Sequence, residues 1–167
     1  LILGIRDYFK KMGFTRAIIG SSGGIDSAVT IALVAKALGN QNVLSILMPS
    51  DFSTSHSVDD AVALSKNLNS PYEIIPIAPV YHSFVETLKP VFQDRPFSVA
   101  EENIQARSRG VILMGISNKL GPILLNTSNK SELAVGYGTL YGDMAGGLSI
   151  LGDCYKTQVY ELAKYIN

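Results

Sequence analysis

The stretch whose residue types could do chemistry is Gly20-Ser-Ser-Gly-Gly-Ile-Asp-Ser27, between a short apolar run and a long helical pattern. Gly23 and Gly24 allow the backbone to turn sharply with its amides unobstructed. The helix start adds free N–H groups and the positive end of the helix dipole. Ser22 and Ser27 supply hydroxyl donors, and together these groups form an anion cradle of phosphate size. Asp26 would repel a bare phosphate, and it fits the cradle if a Mg²⁺ ion bridges carboxylate and phosphates. The loop lacks the G-x-x-x-x-G-K-[ST] spacing of a Walker A loop. Its plain alternative is a Ser/Gly turn with Asp26 as a helix-start charge, and its place between a strand and a helix favours the cradle.

The elements that must position this loop follow from periodicity. Ile2, Ile5, Phe9 and Met12 recur at helical spacing and Gly13 stops the pattern. Residues Arg16 to Gly20 read as a buried strand, Ile25 to Leu38 as a helix closed by Gly39, and Asn42 to Met48 as a second strand ended by Pro49. A Ser-rich loop leads to a helix over about Ser57 to Leu68, and Tyr72 to Ile77 is a third strand. Pro79 suits the first turn of a helix that runs to Phe92. Ser98 and Glu101 fit a capping box that opens a helix to about Lys119. Ile123 to Asn126 is a fourth strand, Gly136 to Gly147 a Gly-rich loop, Leu148 to Leu151 a short fifth strand, and Lys156 to Ile166 the last helix. Alternating strands and helices predict an α/β fold, a doubly wound parallel sheet with helices on both faces. In such a fold, ligands bind beyond the carboxyl ends of the strands.

Composition bounds the function. At 167 residues, 47% hydrophobic and 17% charged, the chain fits one domain with a substantial core. Lys+Arg and Asp+Glu balance at 14 each, which gives no electrostatic case for nucleic acid or an anionic membrane. A single cysteine, Cys154, excludes an internal disulfide framework and a Cys-rich metal cluster. His56 and His82 fit no ligand spacing. No apolar run has the length of a membrane span and no signal peptide is visible, so a cytoplasmic protein is expected. The chain opens directly on one helical pattern and stops inside another, and is expected to be a fragment of a longer polypeptide.

The SGGIDS run resembles the PP-loop of the N-type ATP pyrophosphatases, which cleave ATP between the α and β phosphates. Two later stretches narrow the resemblance. Glu102-Asn-Ile-Gln-Ala-Arg-Ser-Arg109 is similar to the N-I-x-A-R-x-R helix of NAD synthetases. Asn126-Thr-Ser-Asn-Lys-Ser-Glu132, Gly136-Tyr-Gly-Thr-Leu-Tyr-Gly-Asp143 and Gly152-Asp-Cys-Tyr-Lys-Thr157 are similar to the segment after their fourth strand. The resemblance runs from Ile18 to about Tyr160 with its motifs in order. The run Gly142-Asp-Met-Ala-Gly-Gly147 is similar to the glutamine-dependent branch, which carries a glutaminase domain upstream.

This resemblance implies a Rossmann-like fold of the adenine nucleotide α-hydrolase type. It also implies ATP-dependent amidation of deamido-NAD with ammonia, supplied directly or from glutamine. It implies that Gly20, Ser21, Ser22, Gly23, Gly24, Ile25, Asp26 and Ser27 hold the ATP phosphates, that Thr127 and Lys156 contact ATP, and that the backbone from Met48 to Ser50 faces adenine. Asp26 and Glu132 are then the Mg²⁺ ligands, Asn103 and Arg107 contact deamido-NAD with Glu132 near it, and the protein is a homodimer.

The residues leave alternatives open. Arg107 and Arg109 also read as surface cations, Glu132 as the cap of a short helix beginning near Ser131, and Lys156 as a solvated helix-start residue. Tyr137 and Tyr141 read either as stacking rings or as loop packing. Gly110, three residues beyond Arg107, leaves room for a ligand or another backbone. The competing functions are another PP-loop amidoligase, a sulfur-transfer enzyme, and an ATP-binding module without catalysis. Sulfur transfer usually implies catalytic cysteines and a basic tRNA-binding surface, and one cysteine and zero net charge argue against it.

Overall fold

The computed structural model describes residues 1–167 apart from the side chain of residue 55. Its strands are β1 (Ala17–Ser21), β2 (Val43–Leu47), β3 (Tyr72–Ile74), β4 (Ile123–Asn126) and β5 (Leu148–Ser149). Its helices are α1 (Ile2–Met12), α2 (Ile25–Leu38), α3 (Ser55–Asn67), α4 (Ala78–Phe92), α5 (Val99–Leu120), α6 (Lys130–Ala134) and α7 (Lys156–Ile166). The strands form one parallel sheet in the order β3-β2-β1-β4-β5. This is the expected doubly wound α/β architecture.

Burial on both faces explains why the strands are continuous apolar runs. One core joins Ile19, Ile123 and Leu125 to α1 through Ile5 and Phe9, to α2 through Ile31 and Val34, and to α7 through Val159. The other joins Ile18, Ile46 and Leu124 to Ile112, Leu113 and Ile116 of α5. Each fully buried aliphatic side chain contributes about 1.5–3 kcal/mol relative to an exposed one. Met12 departs from its expected place: it is 57% exposed and lies beyond the buried stripe of α1.

The helix ends follow local chemistry. Gly13 closes α1 in the left-handed conformation at φ 74°. Ser98 opens α5: its amide donates to Glu101 Oε2 over 2.8 Å, and its hydroxyl accepts from the Ala100 amide. The expected bounds of α2, β4 and α7 coincide with those observed, and α3 begins two residues earlier than expected.

The other differences are at strand ends. β1 is displaced by one residue, to Ala17–Ser21, and β2 is shorter at both ends. β3 ends at Ile74 rather than Ile77, where Pro49 and Pro76 remove amide donors from the ladder. Ile75 and Ile77 still donate singly to the carbonyls of Leu47 and Pro49. β5 ends at Ser149 rather than Leu151. Ile150 and Leu151 are buried in a bend instead, and the Cys154 amide donates back to the Leu151 carbonyl. Among the described residues no helix is long and apolar enough to cross a membrane.

Candidate active site

β1 lies between β2 and β4. The chain leaves β1 by α2 on one face and reaches β4 by α5 on the other, so the sheet opens a crevice at the carboxyl ends of these strands. A cavity of about 410 Å³ occupies the crevice. Gly20, Ser21 and Ser22 line it from β1, Met48 and Pro49 from β2, Arg109 and Gly110 from α5, and Asn126 and Thr127 from β4.

The turn from β1 into α2 depends on Gly23. Its φ is +80°, and a Cβ there would stand 2.3 Å from the Ser57 carbonyl oxygen. Ser27 Oγ is 3.2 Å from Ser22 Oγ and donates to the Gly24 carbonyl over 2.9 Å, while the Gly24 amide donates to Ser22 Oγ over 3.2 Å. The two hydroxyls expected to face an anion therefore brace the turn itself. Ile25 is the first residue of α2, and Ser21 Oγ is buried without a hydrogen-bond partner among the described residues.

Asp26, in the first turn of α2, is the hub of a charged cluster. Its Oδ1 accepts from Asn129 Nδ2 over 3.0 Å, and its Oδ2 is paired with Lys156 Nζ. Asn129 is fully buried, and its Oδ1 accepts from the Glu132 amide over 3.0 Å. Glu132 Oε2 in turn accepts from the Asn129 amide. Glu132 thus completes the capping box of α6, which starts at Lys130 rather than near Ser131, and its Oε1 has no donor among the described residues. Lys156 is anchored by its own amide, which donates to Ser131 Oγ over 3.0 Å, and the Lys130 amide donates to the Cys154 carbonyl. Partial burial works against the Lys156 ammonium. The hydrogen bond and charge of Asp26, with the charge of Glu132, outweigh it and hold the ammonium above the ordinary lysine range.

Asp26, Glu132 and Lys156 stand outside the cavity wall, beyond Ser22 and Thr127. The arrangement is a mainly apolar hollow whose wall includes Ser22 and Thr127, with the charged cluster outside that wall. The donor set suits Mg²⁺: the Asp26 carboxylate accepts from the Asn129 side chain and the Glu132 carboxylate from the Asn129 backbone amide, and no group of three His, Cys, Asp or Glu is assembled among the described residues. Mg²⁺ is bound through one or two carboxylates while substrate phosphates and water complete its shell.

Asn103 and Arg107 are on α5 but outside the cavity wall. Asn103 Oδ1 accepts from Thr139 Oγ1 over 2.8 Å, and Arg107 Nε donates to the Leu140 carbonyl over 3.2 Å. Both hold the 136–147 loop. Gly110 admits another backbone: a Cβ on it would stand 3.0 Å from the Tyr141 carbonyl, and one on Gly142 would stand 2.9 Å from the Ala106 carbonyl carbon. Tyr137 and Tyr141 are 77% and 85% exposed, so neither ring packs into the loop.

Arg109, for which a surface cation is one of the readings left open by the sequence, is half-buried and donates from Nε to the Met48 carbonyl over 3.2 Å. Burial lowers its pKa and the charge of Asp143 opposes that shift. His82 pairs with Asp51. Asn129, Ser131 and Asn126 carry the site's remaining polar contacts. Asn126 Nδ2 donates to the Asp143 carbonyl over 2.8 Å, tying the end of β4 to the loop. The sequence signal for Asn129 is the N-x-x-E spacing of a capping box. Its bond to Asp26 has no local signature.

A profile of the NAD synthase family matches residues 1–167. The chain is 56% identical over its whole length to the glutamine-dependent NAD(+) synthetase of Synechocystis sp., of which it spans 30%. Among solved structures, it superposes on the glutamine-dependent NAD+ synthetase from Acinetobacter baumannii in complex with ADP with a TM-score of 0.97 and 48% identity. That match covers 98% of this chain and 31% of the other. It also superposes on the NH3-dependent NAD synthetase from Campylobacter jejuni in complex with nitrate, with a TM-score of 0.90 and 36% identity over 99% of this chain and 70% of the other.

Proposed function

Since this chain belongs to the NAD synthase family, we propose that it performs the ATP-dependent amidation of deamido-NAD to NAD, releasing AMP and pyrophosphate. The observation that carries the reading is the crevice itself. An apolar hollow between Met48, Arg109 and Leu113 suits a nucleoside, and the Gly23 turn and the Asp26–Lys156–Asn129 cluster outside its wall suit a polyphosphate. That the Acinetobacter baumannii relative forms a complex with ADP supports nucleotide binding.

In this reading the start of α2 and the amides of residues 22–24 receive the phosphates, as helix N-termini do. Asp26 and Glu132 hold Mg²⁺, which supplies charge neutralisation at the phosphates when bound. Lys156 exchanges its bond to Asp26 for one to phosphate as the nucleotide enters. Thr127 contacts ATP, and the Met48–Ser50 backbone faces adenine. Asn103 and Arg107 contact deamido-NAD, with the 136–147 loop between them and the crevice. An oxygen of the nicotinate carboxylate attacks the α-phosphorus, and the bond to pyrophosphate breaks. Ammonia then attacks the carbonyl of the acyl adenylate and AMP leaves. No side chain acts as a covalent nucleophile; the protein contributes position and charge, which account for most of the effect in such transfers.

The parent protein is a cytoplasmic homodimer in this reading, and an upstream glutaminase domain supplies ammonia from glutamine. The length of the glutamine-dependent relatives, of which this chain spans 30%, supports that domain. Phosphorus NMR of the intact polypeptide with ATP, Mg²⁺, deamido-NAD and ammonium tests the proposal. AMP, pyrophosphate and NAD should appear together and only with deamido-NAD. ATP bound without AMP release would assign the chain to non-catalytic nucleotide binding.

A further inference from the structure

We infer that Asn129 is the positioning residue that fixes Asp26 for the metal–nucleotide complex. The inference rests on the reading of Asp26 as the carboxylate that faces the nucleotide's metal ion. Asp26 has two carboxylate oxygens and two protein partners, and these differ in kind. Lys156 is a flexible cation whose side chain is 37% exposed, free to leave when phosphate arrives. Asn129 is fully buried and cannot leave. Its Oδ1 is committed to the Glu132 amide and its backbone amide to Glu132 Oε2, so Nδ2 has one orientation, towards Asp26 Oδ1. The Lys130 amide bond to the Cys154 carbonyl and the Lys156 amide bond to Ser131 Oγ fix this turn against the segment that carries Lys156. One oxygen of Asp26 is therefore held in every state and the other is the exchangeable one. The backbone amide of the same residue holds the Glu132 carboxylate, so both carboxylates are referred to one rigid residue. Groups that orient a metal ligand in this way commonly affect metal affinity or activity about 10–100-fold.

Asn129→Ser separates the two roles of the side chain. Serine keeps the cap acceptor for the Glu132 amide in an S-x-x-E box and has no donor that reaches Asp26. Calorimetric binding of a non-hydrolysable ATP analogue with Mg²⁺ to the intact polypeptide should weaken about 10–100-fold in Asn129→Ser. In an Asp26→Ala background, which removes the acceptor, the same substitution should change affinity by less than about threefold, because coupled residues lose their effect once the partner is gone. Asn129→Asp, which keeps the cap and sets a carboxylate against Asp26, should weaken binding at least as much as Asn129→Ser. Unchanged affinity in Asn129→Asp, or an equal loss in both backgrounds, would overturn the inference. Absence of NAD formation by the unsubstituted protein would refute the proposed reaction instead, and the binding cycle does not depend on turnover.

Discussion

Asn129 Nδ2 donates to Asp26 Oδ1 over 3.0 Å, across a separation of 103 residues. This bond joins the first turn of α2 to the turn between β4 and α6, the two connections that leave the carboxyl ends of neighbouring strands. The strand order brings the turns together, and the bond sets their angle. The acidic group that follows the glycine turn is therefore oriented by a contact within the protein itself.

Asp26→Asn removes the charge and keeps the size. Turnover should fall by at least about 10²–10³, the usual loss when a preorganised charge is removed. Urea midpoints should show the variant folded, with a stability change below about 1 kcal/mol, since a partly solvated ion pair contributes little. Turnover within tenfold of the unsubstituted protein would refute the role of Asp26.

Gly23→Ala forces an L side chain into φ +80° and sets a Cβ 2.3 Å from the Ser57 carbonyl oxygen. It should lower stability by about 1–3 kcal/mol and remove nucleotide binding. Gly24→Ala meets only Ser22 Oγ at 3.2 Å, with no positive φ, and should be milder on both counts. Denaturant titration and equilibrium nucleotide binding of the pair check this, and equal behaviour of the two variants would contradict it.

Lys156→Met should reduce turnover about 10²–10³-fold while the fold persists. The Lys156 pKa is raised in the folded protein: burial lowers it, and Asp26 and Glu132 more than compensate. A raised pKa contributes stability that is present below the ordinary lysine value of 10.5 and is lost as pH rises through the folded value. The stability difference between the two proteins should thus be flat from about pH 6 to about pH 9 and shrink only above the ordinary lysine range. With the side chain 37% exposed, its size should stay below about 1 kcal/mol. A slope near neutral pH in urea titrations would contradict the assignment.

Asn103→Ala removes the acceptor for Thr139 Oγ1, and Arg107→Ala removes the donor to the Leu140 carbonyl. Each should raise amide hydrogen exchange in residues 137–143 while leaving β1 and β4 protected, because local opening tracks local contacts. Uniform exchange changes across the sheet would show that these residues support the global fold instead.

The sheet and its crevice were legible in the sequence because parallel strands buried on both faces are continuous apolar runs, as in Ile123 to Asn126, and because Gly and Pro punctuate their ends. β3 and β5 read too long for the same reason: Ile77, Ile150 and Leu151 are apolar and buried, but Ile77 caps α4 and the other two are buried in a bend rather than on the ladder. The tight turn into α2 was legible from Gly23 and Gly24. The inward bonds of Ser22 and Ser27 were not, since a hydroxyl's partner depends on loop geometry that composition does not encode. The sequence leaves Arg109 open between the motif and a surface cation because its partner is a backbone carbonyl 61 residues away. Asn129 read as part of a motif without a task, because its task is a contact made only when two distant turns meet.

The most direct test of the central claim labels the nicotinate carboxylate of deamido-NAD with ¹⁸O and follows the isotope through a single turnover of the intact polypeptide with ATP, Mg²⁺ and ammonium. Attack of the carboxylate on the α-phosphorus predicts one ¹⁸O in AMP, one in the amide carbonyl of NAD, and none in pyrophosphate. ¹⁸O in pyrophosphate or inorganic phosphate, or NAD formed without label in AMP, would contradict the acyl-adenylate route and with it the functional reading of this site.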